Sequence, residues 1–180
     1  MKKIRTLFKS PDILLFVILL CICLAMYLYQ KVENDDRYIY EKISTTSYDD
    51  PNVDFTIYVD KFYRDLDVYG HYPRRPHKMI IKFADIDKIK DATNINAVSF
   101  GLGDDNIVEI YVNPSFWKSA KRAQKYWLMY HELSHDILNL KDLDASPINM
   151  GKLMYPQMSV FDVTDMDEFI EAYHDLFSSL

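Results

Sequence analysis

The chain has 180 residues and, once its N-terminal apolar segment is set aside, enough length for about one ordinary domain. Glycine occurs four times, and Gly101-Leu102-Gly103 lacks the third glycine and the following helix of a phosphate-binding loop, so we expect no nucleotide ligand. The net charge is −6 overall and −9 beyond residue 30, because the first thirty residues carry four basic side chains and one acid, and such an acidic surface disfavours nucleic acid.

The first feature in chain order is an apolar segment without charge at residues 13–29. As a helix its seventeen residues would measure about 26 Å, at the short end of what spans a bilayer. Basic residues precede it and acidic residues follow it, which predicts a cytoplasmic tail over 1–12, a single-pass signal anchor over 13–29 and a domain outside the cytoplasm, periplasmic or extracellular. A cleaved signal peptide is the alternative, but no small-x-small cleavage site follows the segment.

The remaining chain predicts an α+β domain. Residues 30–54 are polar without clear periodicity and are interpreted as a stalk or extension, so the domain is expected to cover 55–180. Apolar spacing and turn residues predict a helix ending at Gly70, a small mixed sheet, a long helix and a C-terminal helix. The predicted strands cover residues 79–83, 97–100 and 107–112, with a hairpin turn between the last two, and the long helix covers 117–138.

The long helix carries His131-Glu132-Leu133-Ser134-His135 near its end. Two histidines four residues apart project from one helix face, which is the spacing that two ligands of one zinc ion require. Glu132 between them can take a proton from a zinc-bound water as general base. This is the H-E-x-x-H pattern of zinc-dependent peptidases, and its ordinary structural alternative is a pair of histidines on a solvated or buried helix face.

A catalytic zinc ion needs a third protein ligand and one open position. Asn139 can adopt the left-handed conformation that ends a helix, so the chain could turn back and bring Asp142 to the metal. Asp144 is the substitute within the same loop. We predict Zn²⁺ bound by His131, His135 and Asp142.

The methionine of Leu153-Met154-Tyr155-Pro156 precedes a proline, which cannot continue a helix. Met154 is interpreted as an apolar floor beneath the histidines, or else as ordinary core packing.

Together, the motif, the turn residue, the acid and Met154 resemble the metzincin group of zinc metallopeptidases. In that group H-E-x-x-H-x-x-G-x-x-H, or a terminal Asp, precedes a methionine-containing turn. This chain departs from the pattern because Asn139 replaces the glycine and falls one position late. The resemblance implies that extended peptide substrates bind along an edge strand, which would place Val108 and Ile110 at the substrate.

Two other functions stay open at this stage. A gluzincin-like peptidase would take its third ligand from a later helix, where Glu171 is available. The non-enzymatic alternative is a membrane-tethered module that binds peptide without cleaving it. The intact Glu132 argues against this alternative. The sequence therefore favours a membrane-anchored zinc protease, a hydrolase of peptide or protein substrates.

Overall fold

The computed structural model describes residues 11–88, 95–100, 106–157, 163 and 165–180. The chain divides into two compact units, Met1–Lys42 and Ile43–Leu180. The described part of the second unit contains helices and a three-stranded mixed sheet, which confirms the α+β class.

Helix α1 spans Pro11–Thr45. Its segment Ile13–Lys31 has a mean hydropathy of 2.5 and is long and apolar enough to cross a membrane, a test that an N-terminal signal sequence also passes. The predicted helix at 13–29 is therefore confirmed, but the helix continues beyond it. Residues 30–45 gave no helical signal in the sequence because their apolar residues are few and do not form a regular stripe.

The second unit begins earlier than the sequence indicated. Ile43 is fully buried, and Tyr48 forms an antiparallel bridge with Phe83. The rings of Tyr48 and Phe83 also lie 5.8 Å apart. Residues 43–54 thus belong to the folded domain, whereas the sequence interpretation placed the domain boundary at residue 55.

Helix α2 covers Thr56–Val68, close to the predicted helix. Asp54 caps its start by accepting hydrogen bonds from the backbone N–H and hydroxyl of Thr56, at 2.9 and 2.6 Å. Gly70 follows its end with a φ of +79°, a left-handed conformation that glycine adopts without steric cost. The predicted helix stop at Gly70 is confirmed.

The sheet has the order β1-β3-β2. Strand β3 (Ile107–Val112) pairs in parallel with β1 (Lys78–Phe83) and antiparallel with β2 (Ala97–Ser99). All three predicted strands are confirmed. The predicted turn between β2 and β3 falls mostly on residues 101–105, outside the described residues.

The central position of β3 contradicts the expected edge strand. Ile110 pairs with Ile81 on one side and with Ser99 on the other, and its side chain is fully buried. Val108 pairs with Met79 and is also buried. The prediction that Ile110 lines a free substrate-binding edge is therefore wrong, because β2 pairs with β3 at that residue. The position opposite Val108 on the β2 side falls outside the described residues, so the role of Val108 stays a prediction. Strand order depends on contacts between distant segments, which a local apolar pattern cannot reveal.

The predicted long helix is two helices. Helix α3 covers Pro114–Ser119, with Asn113 as its cap, and helix α4 covers Arg122–Leu138. Ala120 between them is extended, with φ −65° and ψ 137°. The Gln124 side chain accepts a hydrogen bond from the Lys121 backbone N–H at 2.7 Å, so α4 has a capping interaction of its own.

Helix α5 (Met166–Ser179) closes the domain, and its cap is Asp165, which accepts hydrogen bonds from two backbone N–H groups. Aromatic side chains fill the space between α2, α4 and α5. The ring of Tyr130 lies 5.1 Å from Phe62, 4.8 Å from Phe169 and 6.1 Å from Phe177. Burying such large rings is the main stabilising contribution here, and their edge-on and stacked contacts add to it. This core fixes α4, which carries the histidine motif.

Candidate metal centre

The motif lies in the last two turns of α4, and the chain reverses directly after it. Asn139 has φ 53° and ψ 31°, the left-handed conformation predicted for it. The Leu140 backbone N–H donates to the Ser134 carbonyl at 3.1 Å, which closes the end of the helix. The following residues therefore run back along the helix end towards the two histidines.

Three ligand atoms meet at this point. The Nε2 atoms of His131 and His135 are 3.1 Å apart, and Oδ1 of Asp142 lies 3.2 and 3.3 Å from them. Ligand atoms about 2.0 to 2.1 Å from a tetrahedral zinc ion would lie roughly 3.3 Å from one another. His131, His135 and Asp142 thus form a group that can hold a metal ion.

Main-chain carbonyls orient both imidazoles. Nδ1 of His131 lies 2.9 Å from the Leu153 carbonyl, and Nδ1 of His135 lies 2.7 Å from the Leu140 carbonyl. Each Nδ1 therefore carries the proton that it donates, which leaves Nε2 of the neutral ring with a lone pair directed at the shared centre. The rings are 12% and 16% exposed, so solvent does little to loosen them.

The charges of the three groups are coupled. Burial works to raise the pKa of Asp142, but hydrogen bonds from the two imidazoles outweigh it and hold this pKa well below its usual range. Burial is the largest influence on His131 and His135 and works to lower their pKa values. The Asp142 carboxylate, the Glu132 carboxyl and the carbonyls that accept from each ring together outweigh burial, so both pKa values are raised. The three groups thus together favour positive charge at the point where their ligand atoms meet.

Glu132 is 5% exposed on the same turn of helix. Burial raises the pKa of its carboxyl, and the imidazoles of His131 and His135 oppose that shift. A carboxylate with a raised pKa beside a cation site is a suitable general base, because proton transfer is most effective when the pKa lies near the working pH.

Asp136 directly follows His135 and contributes to the position of α4, a role that its sequence position alone did not indicate. It is 2% exposed, and its Oδ2 accepts hydrogen bonds from the Ser99 hydroxyl at 2.8 Å and the Glu109 backbone N–H at 3.1 Å. Burial raises the pKa of its carboxyl, and these hydrogen bonds oppose that shift. Asp136 therefore ties α4 to β2 and β3 one residue beyond His135, and only the α4-to-sheet contact reveals this role.

The other candidate ligands are not brought to the site. Oδ1 of Asp144 accepts a hydrogen bond from the Asn149 side chain at 2.6 Å. Glu171 is exposed on α5 and lies outside the described ligand group. Met154 is buried directly after Leu153, and its carbonyl accepts from the Leu143 N–H at 2.9 Å, which joins the methionine turn to the Asp142 loop. Its role as a floor beneath the imidazoles stays a prediction.

Comparisons with known proteins give no relative for this chain. No protein-family model matches it, and neither a curated protein nor a solved structure is significantly similar. The geometry of the metal centre therefore carries the functional argument.

Proposed function

We propose that the chain is a zinc-dependent peptidase in which His131, His135 and Asp142 bind the ion. The observation that carries the proposal is the triangle of their ligand atoms, with edges of 3.1 to 3.3 Å. Two imidazoles and one carboxylate suit zinc, and both rings are held in the tautomer that ligation needs. Three protein ligands leave the fourth tetrahedral position open, as in catalytic rather than structural zinc sites.

Glu132 is the proposed general base. When bound, zinc would supply a Lewis acid that polarises a peptide carbonyl and acidifies water. The Glu132 carboxylate accepts the proton of the attacking water and later delivers it to the leaving amine. Its burial supports this role, because burial raises the pKa of the Glu132 carboxyl and makes it a stronger base than an exposed glutamate.

A metzincin-like arrangement is the form of peptidase that we propose. It is supported by the order of the parts: a small sheet, a helix with the motif, a left-handed turn at Asn139, an acidic ligand and a buried Met154. The hydrogen bond from the Leu143 N–H to the Met154 carbonyl links the last two parts. Peptide binding along β2 instead of β3 is the version compatible with the strand order.

The test combines metal content with peptide cleavage. We expect the full chain to bind one zinc ion and to cleave unfolded polypeptides, and Glu132→Gln to keep the zinc while losing cleavage by about 1,000-fold or more. Glu171→Gln is the matched control, since it makes the same change at an exposed position and should preserve both properties.

Three results would contradict the proposal. A chain that binds zinc but cleaves nothing would be a peptide-binding module. A Glu132→Gln variant that cleaves at the wild-type rate would show that Glu132 is not the general base. Loss of zinc in Glu171→Gln, with zinc retained in Asp142→Ala, would indicate the gluzincin-like ligand set.

We further propose that α1 anchors the domain on the outer face of the cell membrane. The apolar segment Ile13–Lys31 supports the anchor, and the basic residues before it support a cytoplasmic N-terminus. An epitope fused after Leu180 should be degraded by protease added to intact cells, and the mature chain should keep its full mass. A mass lacking the first thirty residues would show a cleaved signal sequence.

A further inference from the structure

A cavity lies beside the loops that position the candidate metal ligands. Its volume is about 420 Å³, within the range of small-molecule pockets. Its apolar lining comes from the ligand loops and from α5: Leu140, Leu143, Leu153, Met154, Ala172 and Leu176. None of the three metal ligands lines it, so this cavity is distinct from the metal centre.

The charged residues of the cavity favour an anion. Lys141 and Lys152 contribute two positive charges and Asp175 one negative charge. The Lys152 ammonium donates to the neutral Asn149 side chain at 2.8 Å, and within the described part of the chain neither lysine has a carboxylate within 4 Å. An apolar wall beside two lysines that lack a carboxylate partner among the described residues is complementary to a ligand with an alkyl body and one carboxylate.

The wall of the cavity also supports the metal centre. Leu140 and Leu153 line it, and their carbonyls are the acceptors that orient His135 and His131. A ligand that fills the cavity would restrict these two loops against α5. Restricting them favours the arrangement in which both imidazoles are correctly oriented, so occupancy of the cavity and metal binding should strengthen each other.

We infer that this cavity binds a medium-chain alkyl carboxylate of the fatty-acid type and that the bound ligand raises the affinity of the metal centre. The alkyl chain packs on the leucines and Met154, and the carboxylate lies at Lys141 and Lys152. The inference depends on the metal centre but not on peptide cleavage.

Methyl resonances of methionine provide a direct test in the metal-free full chain. With ¹³C-methyl methionine labelling, octanoate should shift the Met154 resonance saturably. The Met129 resonance should stay unchanged, because Met129 is fully buried elsewhere in the core. Octanamide, which has the same shape without the charge, should bind about fivefold more weakly, as expected for the loss of two partly exposed ion pairs. Absence of a saturable Met154 shift, or equal binding of octanamide, would overturn the inference.

Charge variants sharpen the assignment of the head group. Lys152→Gln should weaken octanoate binding about threefold and Asp175→Asn should strengthen it, while Lys118→Gln, an exposed lysine on α3, should have no effect. Equal octanoate affinity in Lys152→Gln and Lys118→Gln would refute the head-group position.

The coupling is measured by repeating the titration with zinc bound. Octanoate should bind about fivefold more tightly to the zinc-loaded chain, and by reciprocity zinc should bind about fivefold more tightly when octanoate is present, as judged by chelator competition. Identical octanoate affinities in the two states would overturn the coupling.

Discussion

Tyr130 and His131 are consecutive residues of α4 in opposite surroundings. Tyr130 is fully buried among rings of α2 and α5, and its hydroxyl donates to Asp65 at 2.6 Å. His131 faces two loops without regular structure, where one carbonyl and one carboxylate hold it. The aromatic face of α4 rests on helices packed around it, whereas the histidine face rests on a few directed contacts.

Because of this difference, we expect the stability of the fold and the affinity for metal to depend on different residues of α4. Packing of large rings is cooperative and needs no metal, so the aromatic face should set the stability of the domain. Metal binding at the histidine face requires the ligand atoms to be positioned within a few tenths of an ångström. Hydrogen bonds from the neighbouring loops provide this positioning. Substitutions on one face should therefore leave the property of the other face nearly unchanged.

Truncation of Phe62 should have the largest effect and should affect stability alone. Phe62 is fully buried against Tyr130 and Phe177, so Phe62→Ala should lower the free energy of unfolding by about 3 to 5 kcal/mol. Urea unfolding of the metal-free chain followed by circular dichroism measures this, with the half-exposed Ile57→Ala on the same helix as control. A large loss of zinc affinity in the folded Phe62→Ala protein would contradict the expectation that the aromatic face affects stability alone.

Removal of Asp142 should have the converse effect. Asp142→Ala should weaken zinc binding about 100-fold, because one of three ligands is lost, with little change in the unfolding of the metal-free chain. Asp144→Ala is the matched control two residues away, where the carboxylate binds Asn149 instead. If Asp144→Ala lost zinc and Asp142→Ala kept it, Asp144 rather than Asp142 would be the third ligand.

Zinc affinity should fall as the pH is lowered. Both imidazoles must release a proton to ligate. Burial works to lower the pKa values of His131 and His135, but the Asp142 and Glu132 carboxyl groups and the accepting carbonyls together raise both above 6.5. Affinity should thus be complete above those raised pKa values and decline through them, approaching about 100-fold per pH unit once two protons compete. Chelator competition between pH 5.5 and 8 measures the slope, and a flat profile would be inconsistent with histidine ligation.

The smallest expected effect concerns the turn at Asn139. Asn139→Ala places an ordinary side chain in the left-handed conformation at a cost of about 1 kcal/mol, whereas Asn139→Gly should be nearly neutral. Because the turn starts the loop that carries Leu140 and Asp142, the alanine variant should also bind zinc a few-fold more weakly. Thermal unfolding and zinc titration of the pair would measure both effects, and equal behaviour of Ala and Gly would show that the left-handed turn does not matter.

The sequence predicted the local parts of the candidate centre. His131 and His135 follow from helical spacing, and the left-handed Asn139 and the approach of Asp142 follow from turn chemistry within a few residues. These features depend on short-range geometry, which residue types largely determine. Zinc binding and catalysis themselves stay predictions.

Features that depend on contacts between distant segments could not be predicted from the sequence. The central position of β3 and the burial of Asp136 both arise from contacts between segments far apart in the chain. The break at Ala120 was missed for a different reason, since the apolar pattern continues across it and only the Lys121 and Gln124 hydrogen bond starts a new helix. In the helical residues 30–45 the apolar residues are few, so their spacing did not indicate a helix.

The use of carbonyls at Leu140 and Leu153 has a consequence for mutational scanning. Every amino acid carries the same carbonyl, so replacing either leucine alters its packing but leaves the acceptor that holds the histidine ring in place. An alanine scan of the two loops would therefore fail to reveal the groups that orient the ligands. Insertion or deletion of a single residue between Leu140 and Leu153 would instead shift the Leu153 carbonyl relative to the Leu140 carbonyl, which the helix end holds in place. The length of this segment should therefore matter more for the orientation of the two rings than the identity of its side chains.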